Sequence, residues 1–271
     1  MSTASGQWQL GHSTNLVGVP TAVLAASEFN DDPRPLSIAG VRQMHHELFA
    51  RLAEPEAKGH WSEIFEDHMA EWFDLPKAQG GNGAKPPKRY YASYLRLLRG
   101  WAFDNNAREG AVLKGWVESR FGLFPTFHRE PITRVGSPAW AQYVEDKMAC
   151  RFYSAAVLAQ LDLLYEFAQW VLARAQPPRD RVTLYRGVND FSEHQVIDRI
   201  DKRTVILRLN NLVSFTAHRD MASWFGDHIL ETAVPLAKIL FFKELLPRHA
   251  LKGEGEVLVI GGDYRVQASY F

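Results

Sequence analysis

Three short segments in the last third of the chain carry the side chains best suited to chemistry. Arg186 ends one β-like run, Ser214 and Thr216 end a second, and Glu254 and Glu256 lead into a third. The planar donor fork of an arginine suits a phosphate, and hydroxyl groups on an adjacent strand can orient a ribose. Glutamates at positions i and i+2 of an extended chain point to the same side, so both can face one cleft. The three segments together, in this order, predict an active site.

The remaining motifs do not predict a second site. The ten histidines are scattered, and the His-His-Glu sequence at 45–47 lacks the spacing by which one helix presents two imidazoles to zinc. The single cysteine, Cys150, excludes a cysteine-rich zinc site and an internal disulfide. Glycines 80, 81 and 83 precede two prolines, which cannot open the helix that a phosphate-binding loop requires. We therefore expect no metal site, and we interpret residues 78–88 as a linker.

The composition excludes several classes of protein. The 271 residues are 46% hydrophobic, which is enough for a full core. The 31 basic residues balance 31 acidic residues, so no global field attracts nucleic acid or an acidic membrane. The most apolar early run, residues 16–26, contains Pro20 and is far shorter than the roughly 20 residues that a membrane span needs. Because no secretory signal is visible, we expect a cytoplasmic protein without a membrane span.

The charges are distributed unevenly along the first half of the chain. Residues 28–76 carry 11 acidic and 4 basic side chains, whereas residues 85–134 carry 10 basic and 4 acidic side chains. Aromatic residues interleave with the basic stretch, a mixture that can suit single-stranded nucleic acid. Their helical spacing favours core aromatics beneath a solvated charged face instead. We therefore expect no nucleic-acid partner.

The elements that must position the predicted site divide the chain near residue 176. Ser37 and Ser137 are the expected N-caps of the first and last helices before that point, and a break is expected near Cys150. Prolines 177 and 178 end the helical part. Apolar residues recur at helical spacing near residues 38–52, 61–73, 90–101, 112–117 and 138–175.

The last 90 or so residues are rich in β-like runs, with short helices expected between them at 192–200 and 219–225. A helical half followed by a β-rich half predicts an α+β fold. We expect the regions 1–176 and 177–271 to pack as one compact unit. The β-like runs are 182–185, 204–209, 212–216, 229–234, 239–242, 257–260 and 264–270.

The β-rich half resembles a known enzyme superfamily. Arg186, Ser214 and Glu256 match the Arg–Ser–Glu pattern of the ADP-ribosyltransferases, and Glu254 completes the Glu-x-Glu form of members that modify arginine. The resemblance covers roughly residues 182–271. It implies a split β-sandwich fold and NAD as the substrate that donates ADP-ribose, with no metal.

The helical half narrows the resemblance to one family. Residues 11–18, 89–106 and 120–128 are similar to the dinitrogenase reductase ADP-ribosyltransferases of nitrogen-fixing bacteria. That resemblance implies transfer of ADP-ribose to one arginine of the nitrogenase iron protein, which inactivates it when ammonium arrives or energy falls. It also implies control by a PII-type signalling protein. Residues 1–176 would then serve partner recognition and support, and residues 177–271 would bind NAD and catalyse.

The resemblance implies a role for each acidic and basic side chain of the site. Arg186, with Gly187 beside it, would pair with the NAD diphosphate. Glu256 would contact the ribose hydroxyls and stabilise the positive charge that develops as nicotinamide leaves. Glu254 would orient the incoming guanidinium and take its proton.

The hydroxyl position shows one departure from the superfamily. Many members have Ser-Thr-Ser where this chain has Ser214, Phe215 and Thr216. Either remaining hydroxyl is a candidate for the ribose contact. We choose Ser214, with Thr216 in reserve.

Two other functions stay open on the sequence. An NAD glycohydrolase would keep the cleft and use water as the acceptor. A catalytically inactive sensor would keep only the binding of NAD and a partner, and the presence of both Glu254 and Glu256 argues against it.

The basic stretch also has two interpretations. Its charges form either a solvated helix face or part of a docking surface for the iron protein or the PII protein within residues 30–135. The cations that we expect to test this choice are Lys85, Lys88, Arg96 and Arg99.

Overall fold

The computed structural model describes residues 10–76, 92–174, 179–189, 194–249 and 255–270. The predicted linker at 78–88, with Lys85 and Lys88, and the candidate Glu254 lie outside the described residues. The α-helices of the described ranges are α1 (Thr21–Ala25), α2 (Ser27–Asp31), α3 (Val41–Met44), α4 (His46–Leu52), α5 (Trp61–Trp72), α6 (Tyr94–Phe103), α7 (Arg108–Phe121), α8 (Pro138–Ala149), α9 (Ala155–Leu172) and α10 (Arg219–Ala222).

Most of the strands follow the helical part of the chain. They are β1 (Phe127–His128), β2 (Glu130–Pro131), β3 (Arg181–Val188), β4 (Gln195–Arg199), β5 (Thr204–Thr216), β6 (His228–Pro235), β7 (Ile239–Phe242) and β8 (Glu256–Tyr270). Strands β1 and β2 form a small pair, and the other six form one sheet in the order β4-β5-β3-β6-β8-β7. The predicted α+β class is confirmed.

The sheet closes on itself around four strands. All its pairings are antiparallel, and β5 pairs with β8 along most of its length as well as with β3 at its end. Strand β3 pairs with β6, and β6 pairs with the end of β8. The four pairings β5–β3, β3–β6, β6–β8 and β8–β5 therefore form a ring, with β4 and β7 added outside it.

The strand register brings the predicted site together. Thr216 at the end of β5 lies opposite Glu256 at the start of β8, and Ser214 lies opposite Leu258. Tyr185, which precedes Arg186 in β3, also lies opposite Thr216. The ends of β3 and β5 therefore meet the start of β8 at one edge of the sheet.

The expected helix at 192–200 is wrong. Residues Gln195–Arg199 form β4, which pairs with β5, and residues 190–193 lie outside the described ranges. The β-branched Val196 and Ile197 favour extended backbone, and the edge of β5 supplies hydrogen-bond partners that the isolated sequence does not reveal. Two pairs of predicted β-like runs each form one continuous strand. Runs 204–209 and 212–216 belong to β5, which passes through a bulge, and runs 257–260 and 264–270 belong to β8.

The two serine caps have different outcomes. The Ser137 side chain accepts from the backbone N–H of Trp140, as an N-cap does, and the expected break near Cys150 separates α8 from α9. Ser37 begins no helix, because its hydroxyl donates to Glu166 of α9 at 2.9 Å. The helices of that stretch are shorter than predicted and begin only at Val41.

The helical part and the sheet share a core. One cluster of buried apolar side chains contains Leu161 and Leu164 of α9 together with Leu240 of β7 and Leu258 and Ile260 of β8. Burial of such side chains is the main favourable term in folding. No helix in the described ranges has both the length and the apolar character needed to cross a membrane.

A buried carboxylate fastens an early segment of the chain to α9. Glu166 is fully buried and accepts from the Ser37 hydroxyl and from the backbone N–H of Ile38, at 2.9 and 2.6 Å. It also pairs with the guanidinium of Arg42. Its charge is tolerated because donors and a cation replace the water that burial removes.

We expect the substitution Glu166→Ala to destabilise the fold by about 3 kcal/mol, because the buried N–H of Ile38 loses its acceptor and Arg42 its partner. The free energy of unfolding in urea, followed by circular dichroism, measures this effect. The exposed residue Glu54 supplies the matched control, since Glu54→Ala should change stability by less than about 0.5 kcal/mol. Equal stability of the two variants would contradict the role given to Glu166.

Candidate active site

Three of the predicted residues are joined by hydrogen bonds where β3, β5 and β8 meet. The Ser214 hydroxyl donates to Oε1 of Glu256 at 2.7 Å. Nη1 of Arg186 donates to the backbone carbonyl oxygen of Ser214 at 2.9 Å. The structure therefore places the arginine, the serine and the second glutamate of the sequence pattern at one point.

A cavity of about 690 Å³ opens over these side chains. Its wall includes Arg186, Gly187, Ser214, Thr216 and Glu256, so every described residue predicted for the site lines the same cavity. Sites for small molecules and cofactors occupy roughly 300–1,000 Å³. The cavity has the volume expected for such a ligand.

The Glu256 carboxyl lies in a partly desolvated environment. Burial raises its pKa above the ordinary value, because the charged form loses water. Hydrogen bonds from Ser214 and Trp101 and the positive charge of Arg186 oppose that rise without cancelling it. A carboxylate in such surroundings acts strongly on a positive charge that develops beside it.

The helical half contributes one residue that the sequence analysis did not assign to the site. Trp101 in α6 is buried and donates from Nε1 to the Ser214 hydroxyl oxygen at 2.8 Å. The hydroxyl therefore accepts from Trp101 and donates to Glu256, which fixes its orientation. Helical spacing predicts only that Trp101 is buried. Because a buried indole N–H usually needs a hydrogen-bond partner, the burial of Trp101 also indicates that it contacts a polar group.

The cavity wall continues from Trp101 through residues 102–106, also in the helical half. The sequence predicts only recognition and support for this half. Its Asp104, Asn105 and Asn106 instead lie beside the strands that carry Arg186 and Ser214.

Gly187 allows an element to pack closely against β3. A Cβ atom at this position would lie 1.9 Å from the carbonyl oxygen of Ala222 in α10. No side chain fits there, so glycine lets α10 form one side of the cavity next to Arg186. This packing, rather than a contact with a ligand, is what the structure shows for Gly187.

The two candidate hydroxyls make different contacts. The Thr216 hydroxyl oxygen accepts from the backbone N–H of His218 at 3.2 Å, and this bond stabilises the turn after β5. The Ser214 hydroxyl bonds to Glu256 instead. Of the two hydroxyls, that of Ser214 is therefore the one held against Glu256.

The backbone between the two glutamates is not extended. Gly255 has φ of +66°, in the left-handed region that favours glycine, and β8 begins only at Glu256. The extended backbone expected between the two glutamates is therefore not present at Gly255. Glu256 is positioned by the sheet, and Glu254 lies outside the described residues.

The described histidines do not form a metal site. Nδ1 of His45 and Nε2 of His68 lie 3.0 Å apart, but within the described ranges no group of three or more histidine, cysteine, aspartate or glutamate side chains is arranged to hold a metal ion. Burial, with a smaller contribution from the charge of His68, lowers the pKa of His45 to about 4. His45 is therefore a neutral core histidine at pH 7.

The site defines a class of enzyme. A glutamate held by a serine suits the stabilisation of positive charge, and the adjacent arginine suits a phosphate, in a cavity of ligand size. Comparison with known proteins identifies the family within that class.

A family model described as dinitrogenase reductase ADP-ribosyltransferase matches residues 14–268. The chain is 58% identical over 267 residues to the NAD(+)–dinitrogen-reductase ADP-D-ribosyltransferase of Rhodospirillum rubrum, and the alignment covers 96% of each sequence. No solved structure matches the chain significantly. The chain belongs to the dinitrogenase reductase ADP-ribosyltransferase family, and the resemblance inferred from its sequence is confirmed.

We expect Trp101→Phe to raise the pKa of Glu256 further, because the indole N–H is one of the donors that lower it. Carbon-13 NMR of labelled glutamate carboxyls over a pH titration measures this pKa, and the variant Glu256→Gln identifies the signal. Trp61→Phe is the matched control, since Trp61 packs against Trp170 and does not line the cavity. An unchanged Glu256 titration in Trp101→Phe would show that the indole does not act on the carboxylate.

Proposed function

We propose that this protein transfers ADP-ribose from NAD to one arginine of dinitrogenase reductase, the nitrogenase iron protein, and thereby inactivates it. Membership of the family supports this reaction. The structural observation that carries it is the partly buried Glu256 held by Ser214 next to Arg186 in a cavity of about 690 Å³.

Arg186, Gly187, Ser214 and Thr216 form the proposed NAD-binding wall. Arg186 keeps one guanidinium nitrogen on the carbonyl oxygen of Ser214, which fixes the plane of the fork at the cavity surface. A fixed planar fork suits two oxygens of a diphosphate better than a flexible ammonium does. Ser214 then braces the nicotinamide ribose against Glu256.

Glu256 is the proposed catalytic carboxylate. It hydrogen-bonds the ribose hydroxyls and stabilises the positive charge that develops on the anomeric carbon as the bond to nicotinamide breaks and its electron pair leaves with the nicotinamide nitrogen. The Ser214 hydroxyl already donates to Glu256 and is itself held by Trp101, so little reorganisation accompanies the appearance of that charge.

Glu254 is the proposed residue for the acceptor. A free guanidinium keeps its proton well above pH 12, so an arginine needs a carboxylate beside it to become a nucleophile. Glu254 orients the guanidinium of the acceptor arginine and takes one of its protons. The deprotonated guanidine nitrogen then forms the new bond to the anomeric carbon. The products are ADP-ribosylated arginine and nicotinamide.

The ring of strands supports a split β-sandwich of the ADP-ribosyltransferase type as the finer description of the fold. Residues 177–271 are then the NAD-binding region and residues 1–176 the supporting and recognition region. Resemblance to the family also supports control by a PII-type protein, a cytoplasmic location and a reaction in which NAD is the substrate and no metal takes part.

The two glutamates should divide the reaction between them. Glu256→Gln should lose about 10²–10³ in the rate of both NAD cleavage and transfer, because the amide cannot stabilise positive charge as a carboxylate does. Glu254→Gln should lose transfer to the iron protein and keep measurable cleavage of NAD. Labelled NAD, with nicotinamide release and protein labelling followed in parallel, measures both steps.

Stability provides the control for this pair of variants. A carboxyl whose pKa folding raises contributes stability in its neutral form below its unfolded pKa, and that contribution is lost as pH rises through the folded pKa. Since the substitution Glu256→Gln places a neutral side chain at this position, the variant should unfold at pH 7 no more easily than the wild type. Near-normal turnover in Glu256→Gln, or equal loss of both activities in Glu254→Gln, would contradict the division of labour.

Arg186→Lys should weaken NAD binding at least tenfold while the melting temperature changes little. The charge remains in this variant, but the planar geometry that meets two phosphate oxygens is lost. Titration calorimetry with NAD and a thermal melt measure the two quantities, with Arg208→Lys as the control, since Arg208 is paired with Asp263 and does not line the cavity. A collapse of the melting temperature with unchanged affinity would make Arg186 a structural residue of the sheet.

A further inference from the structure

The mouth of the cavity carries unusually exposed aromatic side chains. Phe103 at the end of α6 is 87% exposed, and Trp224 and Phe225, which follow α10, are 71% and 70% exposed. Among the large hydrophobic residues that the structure describes, these three are the most exposed, and all three line the cavity. We call Phe103, Trp224 and Phe225 the aromatic rim.

The rim continues onto a basic helix face. Arg96, Arg99 and Phe103 are spaced by three and four residues in α6, so they lie on one side of the helix. Both arginines are exposed, whereas Trp101 points to the opposite side, into the site. One helix therefore holds the catalytic carboxylate through Trp101 and presents a basic, aromatic-tipped strip to solvent.

We propose that the aromatic rim and the exposed face of α6 are the docking surface for the acceptor protein. This inference rests on the proposed function and adds where the acceptor binds. Its partner is a protein surface on which the modified arginine lies beside an apolar patch and, further out, carboxylates that complement Arg96 and Arg99.

Two observations indicate that the acceptor protein is what binds the aromatic rim. An arginine on a folded protein reaches Glu256 only if the surface around that arginine comes against the cavity mouth, where the rim lies. Exposed aromatic residues at such a position are typical anchors of protein interfaces, while scattered single apolar residues are not. Because the basic strip is continuous with the rim, charge complementarity extends the same contact and steers the encounter.

The experiment compares three reactions of the full chain: NAD hydrolysis without acceptor, transfer to agmatine as a small guanidine, and transfer to purified iron protein. The variants are Phe103→Ala, Trp224→Ala and the double variant. Met148→Ala is the matched control, because Met148 is also exposed at 62% and does not line the cavity. Circular dichroism confirms that the variants fold.

We expect each rim variant to raise KM for the iron protein at least tenfold, as loss of an interface anchor does. Any change in NAD hydrolysis or in transfer to agmatine should be far smaller than this rise, and Met148→Ala should behave as wild type. Arg99→Glu, at a position that does not line the cavity, should leave NAD hydrolysis and transfer to agmatine unchanged. Arg99→Glu should slow modification of the iron protein most at low salt, where screening is least.

The other outcomes overturn the proposal in distinct ways. Weaker NAD binding or equal loss with agmatine would assign the rim to the NAD site, where the rings would stack on a base. No change in any reaction would show that the rim does not bind the acceptor. If the wild-type chain transfers ADP-ribose neither to agmatine nor to the iron protein, the proposed function itself is wrong, whatever the rim variants do.

Discussion

The removal of one carboxylate from water is the constraint on which this site depends. Burial raises the pKa of Glu256, while hydrogen bonds from Ser214 and Trp101 and the positive charge of Arg186 act in the opposite direction and favour the charged carboxylate. Trp101 and Ser214 lie 113 positions apart in the chain. The fold must therefore hold a helix of the first half against a strand of the second half to within the length of a hydrogen bond.

A bulge in β5 carries hydrogen bonds that connect the sheet to the helical half of the chain. The side-chain amides of Asn210 and Asn211, at the bulge, donate to backbone carbonyl groups of Lys114 in α7 and of Leu123 and Phe127 in the segment that follows it. Helix α6 packs on α7, so fixing α7 against β5 also fixes α6. An irregularity in the ladder thus sets the distance on which the site relies, as bulges beside active sites commonly do.

The spacing of Arg186, Ser214 and Glu256 predicted a shared cleft because strand ends in one sheet meet at its edges. The contribution of Trp101 was not predictable in this way, since helical periodicity reports that a side chain is buried and not which polar group it meets. The strand at 195–199 was missed because its partner edge belongs to β5, a contact absent from local sequence. Gly255 was visible in the sequence, but its positive φ is set by the turn before β8 and not by alternation along a strand.

Gly255, whose φ is positive, lies directly before the point at which the sheet begins to fix the chain. Glu256 occupies the first position of β8, a strand whose register is fixed by its pairing with β5, β6 and β7. The position of the proposed catalytic carboxylate therefore depends on strand pairing itself, so a substitution that shifts the register of β8 would move Glu256 away from Ser214 even if both side chains were kept.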